Sequence, residues 1–549
     1  MDEQYKSETI EHLGLVANMV EELGIVELID QAIAQDFNQR KVSVGQAIKA
    51  LIVCGLGFTN HRLYLAGQFF ANKPTERLIG AGIEAKYIND DLLGRALDAL
   101  YEYGVTALFH RISKGVAVKL GVESRRYHAD STSFHVDGQY NSETEDIDPG
   151  LIYITKGYSR DHRPDLNQFS LNLIVEHQAG LPMSLQLGNG NQSDCQALPA
   201  LIKQYISQLK PYDDRPLFVA DAAWYTQENL KATQEEDGYL FVSRVPAKLK
   251  LVKEIETTLD LDSLMPLKPG YRGQCIFRSY GGVEQRWLVV HSEAAKKRAH
   301  KTISRRLAKL SKAEMKQWQQ LCRQTFSCEP DAEQAVKQFL KECDYCKLAE
   351  WQTVPQPHYA QAGRPKKDAI PTFCTYSIEG ALFISLASYD QLLDRAALFV
   401  LATNQLDEAN LTPVDILDIY QGQVKVERGF RFLKDPLFLA NTIFLKKEER
   451  VMAVMMVMTL CLLVYAALEY RIRHLLQTNS LTIPDQKGRP TATPTARWVF
   501  QSFLDVSLLS ICLPDSSPRI LCLNLRLELQ VLLNLLGPSY ASIYSLPAP

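Results

Sequence analysis

The chain has 549 residues, of which 46% are hydrophobic and 22% charged, and its formal net charge is −3. These values exclude a disordered or fibrous chain, and a uniformly basic nucleic-acid binder. A chain this long folds without disulfide or metal staples, and at about 100–200 residues per domain it holds roughly three units.

Residues 1–120 read as a helical domain, suited to DNA-end binding or to protein interaction. Apolar residues recur at helical spacing in Ile10-Leu13-Val16-Met19-Val20 and from Val42 to Leu56. Asn89-Asp90-Asp91 supplies a cap for a further helix through Leu93, Ala96, Leu97 and Leu100. The start of the chain lacks a basic-then-apolar targeting pattern, and its eleven cysteines follow no framework spacing. A reducing, cytoplasmic compartment is expected.

Near Arg126 the period changes. Tyr127 to Val136 reads as a strand, and two alternating runs around Phe169–Leu173 and Pro182–Leu187 read as a hairpin across Gln178-Ala179-Gly180. A helix from Asp194 to about Leu209 follows. Leu217-Phe218-Val219-Ala220 is a short apolar run suited to a strand buried on both faces. Thr226 caps another helix, and Tyr239 to Ser243 closes this part, residues 121–245, as a last strand. Right-handed crossovers make the last two strands parallel to the first.

Residues 246–395 read as an insertion domain, with strand-like runs Gly273–Tyr280 and Arg286–His291 and then a basic helix. Residues 396–477 return to core-type pattern, with one long helix starting at Thr412-Pro413. Residues 478–549 read as a linker and a helical tail. Val451 to Leu468 is uncharged over 18 residues, which reaches the length of a membrane span and equally suits a buried core helix. Cys322, Cys328, Cys343 and Cys346 leave zinc binding open, although the first pair has poor ligand spacing.

Three acidic residues stand out. Asp130 lies within the first core strand, and Asp221 ends the buried strand, where ligands of open α/β sheets gather. Alone, each is explained as a turn former or cap. Glu427 lies in a helical segment where Tyr420, Gln423, Glu427, Arg431 and Lys434 share one face. A solvated face with a Glu427–Arg431 pair reads the same segment equally well.

In their order, Asp130, Asp221 and Glu427 resemble the Asp-Asp-Glu insertion-sequence transposases. Tyr420-x2-Gln423-x3-Glu427-x6-Lys434 is similar to their Y-x2-R-x3-E-x6-K signature, with Gln423 in place of Arg. Thr155 to Leu166 and Gly188 to Asp194 resemble the subgroup with a long insertion before the Glu. The resemblance implies an α/β RNase H-like core, a mixed five-stranded sheet with helices, interrupted by the insertion domain. It implies that Asp130, Asp221 and Glu427 are catalytic and bind two Mg2+ ions, with Mn2+ as substitute. It further implies cleavage at element ends and 3′-OH strand transfer into target DNA. The partners would be double-stranded DNA, namely terminal inverted repeats and target, and a second protomer on the DNA, with no membrane. The setting would be the cytoplasm of a bacterium, beside the nucleoid. A nuclease without strand transfer and an inactive DNA-binding derivative are the alternatives.

Tyr420, Gln423, Arg431 and Lys434 are expected to contact the DNA backbone. Gln lacks the charge and the bidentate fork of Arg, so Gln423 weakens that contact. From Lys296 to Lys312 the chain carries cations and no carboxylate, which makes Lys297, Arg298, Lys301 and Arg305 candidate DNA contacts. Arg364, in Gly363-Arg364-Pro365, suits a minor groove. Trp287, like Trp224, is a candidate platform for a displaced base, against the plainer reading of core packing.

Overall fold

The structure is a computed structural model describing residues 4–36, 40–58, 66–123, 125–136, 140, 150–157, 163–192, 194–209, 215–234, 238–343, 345–360, 370–435, 447–512 and 519–546. The chain begins with β1 (Gln4–Thr9) and the helices Leu13–Glu22, Ile25–Ala32, Val44–Leu56, Asp90–Tyr103 and Val105–Lys119, with shorter helical turns between. Ser43 and Gln46 form a reciprocal capping box, and Asn89 accepts the Leu92 N–H at 2.9 Å, so both expected helices start at their caps.

One large mixed sheet follows. Its strands are β2 (Arg126–Val136), β3 (Asn167–Glu176), β4 (Pro182–Gly188), β5 (Leu217–Ala220), β6 (Leu240–Arg244), β7 (Met265–Lys268), β8 (Tyr271–Tyr280) and β9 (Val283–Ser292). After a separate hairpin of β10 (Cys346–His358) and β11 (Phe373–Ile384), β12 (Leu398–Thr403) rejoins it. The spatial order is β4-β3-β2-β5-β6-β12-β9-β8-β7. β2, β5 and β6 run parallel, while β3 and β4 are antiparallel neighbours beyond β2. The first five strands therefore have the order along the chain and the directions read from the sequence.

The sheet does not stop at five strands. β12 pairs antiparallel with β6 on one side and β9 on the other, so β7–β9 extend the same sheet to nine strands. Nearly every residue of β9 is buried, the exception being Glu284. A strand apolar on both faces needs cover on both, and the continued sheet provides it. The rest of the inserted segment stands apart: helices Glu293–Cys322 and Glu329–Glu342 and the β10–β11 ribbon close on Trp318, Ala332, Val336 and Ile378. Cys343 donates to Glu314 at 3.1 Å, and the described cysteines form no disulfide.

Helix Glu448–Thr478 is the internal spine. Residues from Val451 to Val464 are all buried, and 89% of its most apolar window is covered by protein. It packs against the helices Leu13–Glu22, Val44–Leu56, Asp90–Tyr103 and Val105–Lys119, and against β4. Its membrane-span length thus serves a core between the N-terminal helices and the sheet.

The C-terminal segment is not a purely helical tail. A small clip of β13 (Ile483–Pro484) and β14 (Pro490–Thr491) precedes helix Ala496–Ser502, then β15 (Ser507–Cys512) and β16 (Arg519–Leu523). β1 pairs with β15, and β15 with β16, which makes one unit of the two chain ends. Short apolar runs such as Leu508-Leu509 and Ile520-Leu521 carry no period that separates strand from helix.

Candidate active site

The parallel registers decide where the first two carboxylates stand. His128 pairs with Val219 across β2 and β5, and Ala220 pairs with Ser243 across β5 and β6. Continuing both registers sets Asp130, Asp221 and Arg244 in one row across strands about 4.8 Å apart. Residues aligned in parallel strands share a face. Here it is the face on which Leu217, Val219 and Val242 pack against helix Pro413–Gln421. Backbone groups orient both acids. Asp130 Oδ1 accepts the Ser131 N–H at 2.8 Å, and Asp221 Oδ1 accepts those of Ala223 at 3.0 Å and Trp224 at 3.3 Å.

Glu427 reaches this face on a helix that the sequence reading drew as continuous and that the structure breaks. Thr412 caps helix Pro413–Gln421 in a capping box with Asp415, and a second helix, Val424–Leu433, follows. Between them, the N–H groups of Gln423, Lys425 and Val426 bond three residues back, to Tyr420, Gly422 and Gln423. That tighter 3-10 turn separates the two helices, with Tyr420 before it and Glu427 after it.

The second helix is tied at both ends to β2. At its start, a Cβ on Gly422 would lie 2.7 Å from His177 Cε1 and 3.0 Å from His128 Cε1. At its end, Lys434 Nζ sits 5.7 Å from the Phe134 ring centroid. His128, Asp130 and Phe134 alternate onto the same face, so Asp130 lies between the two ties, and exposed Glu427 lies on the helix that spans them. Lys425 reinforces the first tie by donating to the carbonyls of His177 and Gln178. His128 Nε2 and His177 Nδ1 are 2.9 Å apart. Burial first, then neighbouring cationic groups, lower these histidines to about 3 and about 4, so both are neutral at physiological pH.

Tyr420 links the two sides. Burial chiefly raises the pKa of its phenol; Arg244 opposes this with its charge and a hydrogen bond, while Asp221 and Glu427 both add to the rise. The hydroxyl therefore lies in the field of both carboxylates. Among the described residues no three acidic, histidine or cysteine side chains are gathered as a metal-holding set. The register sets Asp130 and Asp221 at neighbouring positions of adjacent chain segments, and Glu427 lies on the helix that packs over β2.

The remaining expected residues divide. Gln423, 8% exposed, is held in the helix break rather than presented to solvent. Arg431 is exposed and lines a cleft beside the helix, whereas Lys434 is half-buried. Lys297, Arg298, Lys301 and Arg305 are all exposed on helix Glu293–Cys322, as are Arg306, Lys309, Lys312 and Lys316. Arg364 lies outside the described residues. Trp287 is corrected: it is 0% exposed, and its indole N–H donates to Gln285 at 3.0 Å, so it packs the sheet and offers no face to a base. Trp224, 1% exposed, packs against Tyr239 and Phe241 and likewise offers no face to a base. Arg244 was missed. Its signal was its place at the carboxyl end of a strand parallel to the one that carries Asp221.

Residues 124–464 match the family described as "Transposase DDE domain", and residues 5–114 match a domain of unknown function (DUF4277). The first match contains Asp130, Asp221 and Glu427. Among solved structures, the chain is similar to one described as a cryo-EM structure of the piggyBac transposase synaptic complex with hairpin DNA. That likeness has 9% identity over 91% of this chain and 82% of the other, at a TM-score of 0.37. No curated protein matches the chain.

Proposed function

The chain belongs to the DDE-domain transposases, and from that premise we propose that Asp130, Asp221 and Glu427 hold two Mg2+ ions for cleavage at element ends and 3′-OH strand transfer. Family membership makes the protein a DNA transposase, an enzyme that cuts and rejoins DNA. The finer reading rests on one observation: the parallel register that sets Asp130 beside Asp221, beneath a helix tied to β2 on either side of Asp130. We read the five-strand part as an RNase H-like core.

The donor set suits a hard cation, because carboxylate oxygens are what Mg2+ prefers. Bound there, two such ions would activate the attacking oxygen and stabilise the leaving one. The chain's own residues do the rest. Backbone N–H groups at Ser131, Ala223 and Trp224 fix the aspartates, and the Gly422 contact sets the height of Glu427. Arg244, in the same row as Asp221, supplies beside the site the cation that Gln423 does not. The exposed face of helix Glu293–Cys322 repeats a cation at Lys297, Lys301, Arg305, Lys309, Lys312 and Lys316. It forms a stripe about 28 Å long at ~1.5 Å per residue, fit to follow a duplex backbone. In this reading the N-terminal domain takes the terminal inverted repeats, two protomers pair the ends, and the protein works in the bacterial cytoplasm at the nucleoid.

The test is Mg2+-dependent cleavage of the element's ends by wild type and Glu427→Gln, with strand transfer from a precleaved 3′-OH end measured alongside. The variant is expected to bind DNA and to lose both steps. Wild-type cleavage by Glu427→Gln would overturn the ligand assignment.

A further inference from the structure

Beside the Glu427 helix, on the side turned toward the C-terminal segment, lies a cleft of about 650 Å³. Its walls come from four parts of the chain: the β3–β4 turn, helix Val424–Leu433, the second half of helix Glu448–Thr478, and residues around Thr493 to Arg497. Lys425, Arg428, Arg431, Arg473 and Arg497 line it, against two carboxylates, Asp435 and Glu469. In a chain of net charge −3, this is a concentrated local excess of positive charge.

The cations already press on one another. Burial lowers the pKa of the Lys425 ammonium, Glu176 opposes this, and Arg473 and Arg428 then lower it further. Arg473 is held by Glu469 at 2.7 Å, and Arg497 by Asp435 at 2.7 Å. Arg428 and Arg431 make no ion pair among the described residues. The floor is aromatic. Phe432 and Tyr465 have ring centroids 4.7 Å apart, Phe58 meets Phe432 edge-on at 6.0 Å, and the Arg497 guanidinium lies 5.6 Å over Phe58. A cationic groove over aromatic side chains is how single strands are held without regard to sequence: cations follow the phosphates, and rings carry the bases. The cleft begins on the same helix as Glu427.

We propose that this cleft binds a single DNA strand leaving the active site, with Arg473 and Arg497 completing it from beyond the matched transposase domain. The proposal rests on the transposase reading and deepens it. It gives the C-terminal segment a part in substrate binding, since Arg497 and the end of the long helix lie past residue 464. Binding would exchange the Glu469 and Asp435 ion pairs for phosphate contacts.

The test measures binding of the full chain to a blunt duplex and to the same duplex with a single-stranded extension, over a range of salt, with inorganic phosphate as a competitor. Wild type should bind the extended DNA more tightly. The variant Arg473→Ala/Arg497→Ala should lose that gain, and its salt dependence should flatten by about 0.7 per lost contact, about 1.4 in all. Arg428→Ala, which breaks no described ion pair, should flatten it by about 0.7 and so serves if the double variant folds poorly. Wild-type binding of extended DNA by both variants would overturn the proposal, as would equal losses on blunt and extended DNA. Displacement by inorganic phosphate at matched ionic strength would also overturn it, since the cleft would then hold a lone anion. Cleavage by wild type and its loss in Glu427→Gln on the same DNA report the transposase reading separately.

Discussion

Replacing Gly422 with alanine tests whether the placement of Glu427 sets the rate. The added Cβ would lie 2.7 Å from His177 Cε1, where ordinary contact begins at 3.4 Å, so something must yield by 0.7 Å. The imidazoles give little. They stack at 5.1 Å, His128 is fully buried, and Lys425 holds the His177 carbonyl. The helix that carries Glu427 must therefore lift. Overpacking of this kind costs about 1–3 kcal/mol, which leaves a domain folded at ordinary stabilities. A displacement near 1 Å costs about 100-fold in rate, so a loss of about 10- to 100-fold is expected. Single-turnover cleavage at saturating DNA and Mg2+ reads the step, and thermal unfolding reads the strain. Cleavage at the wild-type rate, in a variant that shows the stability loss, would refute the argument, because the helix would then have moved without consequence.

Arg244→Ala should lower kcat/KM by about 10- to 100-fold, the loss of one charge-assisted contact worth about 1.5–3 kcal/mol, and Arg244→Lys should recover part of it; full activity in the alanine variant would exclude a phosphate role. Burial lowers His12 to about 4, and its Nε2 meets the Leu56 carbonyl at 2.8 Å. A depressed histidine contributes stability above its unfolded pKa of about 6.5 that is lost as pH falls toward 4, roughly 2 kcal/mol between pH 7 and 5. Urea midpoints of wild type should fall over that interval, and those of His12→Phe should fall less; equal slopes would refute it. Lys49 is buried in an ion pair with half-exposed Glu21, so Lys49→Met should leave stability unchanged or raise it by about 1–4 kcal/mol; a large drop in melting temperature would count against this. Trp287→Ala should destabilise by about 3–5 kcal/mol, while Trp287→Leu, which keeps apolar bulk but has no ring, should keep wild-type cleavage once folded, an outcome a base-stacking role would forbid.

The core strands were legible because their burial is written locally. Leu217 to Ala220 is apolar throughout and lies buried on both faces, and Phe169, Leu171 and Leu173 alternate with the period of a strand, although their polar neighbours Gln168, Ser170 and Asn172 are buried as well. The caps at Ser43, Asn89 and Thr412 are also local chemistry, and the latter two were read directly. What escaped was non-local. Gly273–Tyr280 and Arg286–His291 looked like strands, but nothing near them says that β12 would zip them onto β6. The break at Gly422 depends on two imidazoles some 245 to 294 positions away, which the helical wheel around Glu427 does not contain. Asp130 and Asp221 were identified by resemblance, whereas Arg244 needed the register across three strands.

The clasp between β1 and β15 has a consequence for biogenesis. Thr9 pairs with Ser507, 498 residues later in the chain. At about 5–20 residues per second, the first strand leaves the ribosome roughly 25–100 s before its partner exists. Through that interval an unsatisfied β-edge accompanies a growing polypeptide whose inner helix, from Glu448 onward, has also yet to be made. The two ends of the chain can therefore close on each other only after synthesis is nearly complete.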